Sequence, residues 1–170
     1  MNRSNRLLTC LALVSVVVTG LATPALAGKA VPLKGRFEGL HVSRTPLVPP
    51  RFADVFEATG QATHLGQFDV VIEAVVNFGT LPPTGQGTMT FTAANGDKLV
   101  ADFTGSSALV VPGLVLITEH AIIDPNRSTG RFAGATGSFT SARLADAATG
   151  VGGVTAGTFD GTITLARGNP

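Results

Sequence analysis

Histidines and carboxylates are the groups in this sequence best suited to chemistry, and there are three histidines. His41 shares the alternating parity of Phe37 and Gly39, and His64 shares that of Ala62. Asp54 shares the parity of Phe56. If His41, Asp54 and His64 converge at one end of a sheet, they form a small polar site in an apolar cavity, the usual make-up of a ligand pocket. The competing reading is three strand-end groups with ordinary hydrogen bonds. No H-x-H or H-x-x-x-H spacing occurs, so the pattern assigns no metal and no cofactor. Glu119 and His120 are adjacent, so on a strand they face opposite ways. Glu119 sits between Ile117 and Ala121 and is the carboxylate best placed for burial. An unpaired, desolvated glutamate can act as a general acid or base. The alternative is a cross-strand pair with Arg143 or Arg131. Glu73, among valines, has the same two readings.

Other chemistries lack their equipment. Ser106-Ser107 lie in Thr-Gly-Ser-Ser-Ala, which is not the G-x-S-x-G of a nucleophile elbow. Asp97, Asp102 and Asp124 have no calcium-loop spacing. Trp and Tyr are absent, which argues against a sugar groove built on aromatic stacking. Asn126-Arg127-Ser128 is a glycosylation sequon, relevant only in a eukaryotic source. The chain of 170 residues has 12 Lys+Arg against 11 Asp+Glu, a net charge of +1. That balance removes the electrostatic case for nucleic acid or an anionic membrane surface.

Residues 1–27 read as a signal peptide. Arg3 and Arg6 precede an apolar run from Leu7 to Leu21, and Ala25-Leu26-Ala27 supplies the small residues of a cleavage site. The run is short for a membrane span. The expected product, residues 28–170, is exported, secreted or periplasmic, as one domain without stable membrane insertion. Cys10 is the sole cysteine and leaves with the leader, so the domain must be held together by its core.

The elements that position these residues are strands. Short Val/Ile/Phe/Thr runs alternate with Gly, Pro and Asn-Gly signals, which is the all-β pattern. Eight strands are expected, near 36–43, 52–64, 68–78, 87–94, 97–105, 114–124, 138–146 and 155–165. Asn95-Gly96 predicts a type I′ hairpin turn. Period-2 parity gives one apolar face, including Phe56, Ile72, Phe91 and Phe103, and one Thr-rich face. Eight sequential strands of this kind predict a closed antiparallel up-and-down β-barrel, with a β-sandwich as the alternative. The third and sixth strands are apolar on both faces, which calls for an outer cover. A second copy of the chain supplies one; a loop, 44–52 or 125–137, is the alternative.

The connection Ser128-Thr129-Gly130-Arg131-Phe132-Ala133-Gly134-Ala135-Thr136-Gly137 has shorter echoes at Gly35–Gly39 and Gly157–Gly161. Glycines around one Phe permit a sharp bend that drops the ring into the core. The stretch resembles the T-G-R-F-x-G-A-x-G segment of the allene oxide cyclase–dirigent barrel superfamily and its small exported bacterial members. Residues 60–66 and 92–97 are similar to stretches in those bacterial relatives. The resemblance implies an eight-stranded barrel with an internal cavity. It also implies a homo-oligomer, trimeric in plant members that act on lipid oxides or steer phenoxyl-radical coupling. None of their catalytic residues maps onto this chain.

Three functions are therefore open. The first is an exported module binding a small hydrophobic or amphipathic ligand, with Asp54, His64, Phe56, Ile72, Phe91, Phe103 and Glu119 as the candidate binding residues. The second is a cyclase or isomerase working in a water-excluding pocket. The third is a structural or surface protein whose ten Phe fill the barrel.

Overall fold

In the computed structural model, residues 28–166 are described; the expected leader lies outside them. Eight strands follow one another: β1 (Val31–Pro46), β2 (Arg51–Ala62), β3 (Gly66–Asn77), β4 (Thr84–Ala93), β5 (Lys98–Val111), β6 (Leu114–Ile123), β7 (Thr136–Asp146) and β8 (Val154–Thr164). Each pairs antiparallel with the next, and β8 pairs with β1, closing an up-and-down barrel. Closure leaves no strand edge unpaired, which excludes the sandwich.

Alternation sets the faces. Val70, Ile72 and Ala74 of β3 point inward and are buried, as are Met89, Phe91 and Ala93 of β4. Two strands run further than the expected bounds of 36–43 and 97–105. β5 continues through Gly105, which faces Glu119 across β6 in the space a side chain would fill. β1 begins at Val31 because Val31 and Leu33 continue the inward parity of Phe37. The Asn95-Gly96 hairpin is not type I′. Only Gly96 takes positive φ (+87°), and its N–H donates to Ala93 O at 2.8 Å, so a type I turn is followed by a left-handed glycine.

The barrel ends differ. At one end Phe68, Phe91, Phe139 and Phe159 pack as tilted and edge-on rings with centroids 5.3–6.0 Å apart. Leu33, Leu65, Leu99 and Ile163 fill the gaps. The 124–135 connection seals this end by lowering Phe132, fully buried, into the core, as its flanking glycines suggested. Its backbone is tied down: Ser128 Oγ accepts from Val100 N at 3.1 Å, and Thr129 Oγ1 accepts from Lys98 N at 3.1 Å. This connection therefore covers the barrel's end and leaves its wall bare. The 47–50 connection lies at the other end. Leu116 and Ile122 of β6 and Val71 of β3 stay exposed, so neither candidate loop supplies the expected outer cover.

Candidate functional site

The other end of the barrel is open. A cavity of about 250 Å³ enters the lumen there, between the β1–β2, β3–β4, β5–β6 and β7–β8 connections. Phe78, Val76, Phe103 and Ile117 give it an apolar wall. Facing them are His41, Asp54, Phe56, Glu119 and Arg143, all buried. A larger concavity, about 880 Å³, is an open saddle on the outer wall; its charged residues, Arg36, Glu38 and Asp69, are exposed. Burial of ionisable groups marks the lumen as the chemically distinctive site, because such groups are seldom buried without pairing or purpose.

The polar wall is two ion pairs joined through one ring. Arg44 donates to both oxygens of Asp54, Nε to Oδ1 at 2.7 Å and Nη2 to Oδ2 at 2.6 Å. These bonds hold the Arg44 guanidinium above its ordinary pKa, against partial burial. The same guanidinium lies 5.4 Å from the centroids of both Phe52 and Phe78, so it stands across the mouth between two rings. Deeper in, Arg143 donates to Glu119 Oε1 from Nη2 at 3.0 Å and from Nε at 3.2 Å, with both side chains 2% exposed. Arg143 Nη1 donates to Thr155 Oγ1 at 3.1 Å. Between the pairs lies Phe56. Arg143 sits 4.2 Å above its ring centroid, and His41 stacks on it at 4.5 Å. His41 Nε2 donates to Ser43 O at 2.9 Å and lies 3.5 Å from Asp54 Oδ1.

Two glycines make room for the inner pair. Gly105 pairs with Glu119 and Gly157 with Arg143. A Cβ at Gly157 would lie 2.5 Å from Arg143 Cβ, and one at Gly105 would lie 3.0 Å from Glu119 Cγ. The long side chains thus occupy space their cross-strand neighbours give up.

The sequence candidates divide between the two ends. Asp54, Phe56, Phe103 and Glu119 line the cavity together with His41. Ile72 and Phe91 point inward but lie in packed core. His64 is a correction: it is exposed in the β2–β3 turn at the closed end, with φ +64°, away from His41 and Asp54. Strand β2 ends at Ala62, so the parity carried on to His64 no longer applies. Glu73 is exposed on the outer wall. Glu119 takes the paired reading, with Arg143 rather than Arg131, which instead lies beside Asp97.

Arg44 is the group that alternation missed. A register shift between His41 and Ser43 turns the strand, so Arg44 faces inward although its parity with His41 says outward. No residue in Val42-Ser43-Arg44 announces that bulge.

With Arg44 on Asp54 and Arg143 on Glu119, neither carboxylate stands as a free acid or base. The remaining capacity is for hydrogen bonding. Glu119 Oε2 has only a 3.4 Å contact with Arg143 Nε, and two of the five guanidinium N–H groups of Arg143 are not engaged. Among the described residues no group of three His, Cys, Asp or Glu could hold a metal ion. Comparison of the chain with protein-family models, curated proteins and solved structures gives no match.

Proposed function

We propose that the protein is an exported barrel that binds one small, uncharged, amphipathic molecule in its lumen. The observation that carries this reading is the cavity itself, with an apolar wall of Phe78, Val76, Phe103 and Ile117 facing buried, mutually neutralised polar groups. A cavity of about 250 Å³ exceeds the ~150 Å³ that accepts benzene and falls below the ~300 Å³ at which drug-sized pockets begin. It suits a substituted ring or a short branched chain. Because Arg143, buried, and Arg44, partly exposed, each have a buried carboxylate beside them, a charged ligand would enter uncompensated. A hydroxyl or carbonyl on the ligand can use Glu119 Oε2 and the unengaged N–H groups of Arg143.

The likeness to allene oxide cyclase–dirigent barrels supports the cavity reading but transfers no reaction, since a fold alone does not license a function. The test is native mass spectrometry of the protein recovered from the exported fraction of its host. A retained small neutral mass is expected, and Ala74→Phe, which puts a ring on the cavity lining, should abolish it. A wild-type spectrum containing only the bare chain overturns the reading.

A further inference from the structure

One buried hydroxyl inside the barrel is unspent. Ser141 is 0% exposed, and among the described residues its Oγ is the buried side-chain polar atom that makes no hydrogen bond to any protein group. On the inner face of β7 it stands between Phe139 and Arg143, and its cross-strand neighbours are Glu119 on β6 and Phe159 on β8. Two of these neighbours are hydrocarbon rings and one is a cation that only donates, so the side-chain acceptor beside the hydroxyl is the Glu119 carboxylate. That carboxylate is itself half used. Oε1 accepts from Arg143 Nη2 and Nε at 3.0 and 3.2 Å, whereas Oε2 has only the 3.4 Å contact with Nε. Thr155, also fully buried, shows the contrast: its hydroxyl accepts from Arg143 Nη1 and donates to Leu144 O, both at 3.1 Å. A buried hydroxyl without a partner costs stability that an alanine would not, and Ala121 and Ala145 fill neighbouring inward positions at no such cost.

We propose that Ser141 and Glu119 together seat one hydroxyl oxygen, which accepts from the Ser141 hydroxyl and donates to Glu119 Oε2. The proposal rests on the lumen being a ligand site, and it names the ligand class: a neutral alcohol, preferred over the matching ketone. Glu119 lines the cavity, and Ser141 stands directly across from it on the next strand. Residues so paired have Cβ atoms about 4.5–5.5 Å apart, so one oxygen spans the gap between their polar ends. Little has to move to admit it. The serine hydroxyl turns about a single bond between staggered positions, and Oε2 is not fixed by a short bond. A hydroxyl suits both partners because it accepts and donates at once. A carbonyl oxygen at that point would face Oε2 as a second acceptor, which turns a ketone away from Ser141 and toward the unengaged N–H groups of Arg143. Water is the other source of such an oxygen, with Ser141 and Glu119 as its polar partners. The two sources predict different behaviour of one variant.

The test uses chain 28–170, which contains all eight strands and the whole core. Calorimetric titration compares cyclohexanol with cyclohexanone, rings of one size that differ at the oxygen. Wild type should bind the alcohol about tenfold or more tightly than the ketone, because a site built around a hydroxyl is left with unpaired groups by an analogue lacking it. Ser141→Ala should lower the affinity for cyclohexanol about tenfold and leave that for cyclohexanone unchanged. Without probe it should melt no lower than wild type, since it removes a hydroxyl that has no protein partner. Equal affinity of wild type for the two probes overturns the proposal and leaves the lumen reading standing. So does a preference for the alcohol that survives Ser141→Ala; if that variant also melts lower, the seated oxygen is water. Equal loss of both probes together with a lower melting point reduces Ser141 to a packing residue. A wild type that binds neither probe overturns the lumen reading and this proposal together. If Ser141→Ala does not fold, Ser141→Cys decides. Its thiol is a weak donor, so the preference for the alcohol should collapse, and a preference kept in full overturns the proposal.

Discussion

Replacing Arg143 with Met removes one half of a buried pair and leaves the other half in place. Glu119, 2% exposed, would then face Phe56 and Ile117 without a cation. Breaking a buried pair from one side costs about 3–5 kcal/mol, because the surviving charge keeps its desolvation penalty and loses its compensation. Two smaller losses act in the same direction: the Arg143–Phe56 contact and the bond to Thr155 Oγ1. At roughly 2–4 °C per kcal/mol for a domain near this size, the melting point should fall by about 6–20 °C. The double variant Glu119→Leu/Arg143→Met removes both charges and keeps the volume. It should recover most of the loss, since apolar replacement of a whole buried pair is often neutral or stabilising. The chain has neither Trp nor Tyr, so urea unfolding is followed by far-UV circular dichroism, with calorimetry alongside. The reasoning fails if Arg143→Met costs less than about 1 kcal/mol, the level of an exposed pair. It fails equally if the double variant is as unstable as the single one.

Gly157→Ala should destabilise by about 1–3 kcal/mol through overpacking, because its Cβ would sit 2.5 Å from both Arg143 Cβ and Ala142 O; an unchanged calorimetric midpoint would show that β7 and β8 separate freely there. At the closed end, hydrogen bonds from Arg127 hold the Asp102 and Asp124 carboxyls below their ordinary range. Folded carboxyls so depressed contribute stability that is fully present above the unfolded value, about pH 4, and lost as pH falls through the folded values. Arg127→Gln should therefore lower the melting point at neutral pH and flatten its decline below about pH 4; an acid limb as steep as that of wild type counts against this assignment.

How far the sequence could be read depends on which physical rule governs each residue. Alternation is a local rule, and it located eight strands, the inward faces of β2 to β5 and the burial of Glu119. The Phe132 plug followed from glycines that permit one sharp bend. What escaped were the places where a local rule is interrupted or where the partner is remote. His64 lies two residues beyond the last residue of β2, where parity has no meaning. Arg44 faces the lumen because one bulge reverses the count. Gly105 stands at the end of the expected fifth strand, yet the strand runs on to Val111 and the missing side chain of Gly105 accommodates Glu119. Its role becomes visible only once β5 and β6 are set in register.

The same division separates a packed end of the barrel from an open one. Its closed half is packed with Phe68, Phe91, Phe139 and Phe159 and sealed by a tied connection, so it holds the fold without a disulfide among the described residues. Its open half holds long charged side chains where a simple core would hold aliphatics. Ion pairs with fixed geometry contribute little net stability against apolar replacements of the same size. They do keep a polar surface at a set position inside an apolar lumen, which close-packed aliphatics cannot do. A double variant of Glu119 and Arg143 that matches wild type in stability would therefore point to a role for the pair beyond folding. Retention of a small neutral mass by wild type and its loss in that variant would locate the role in binding.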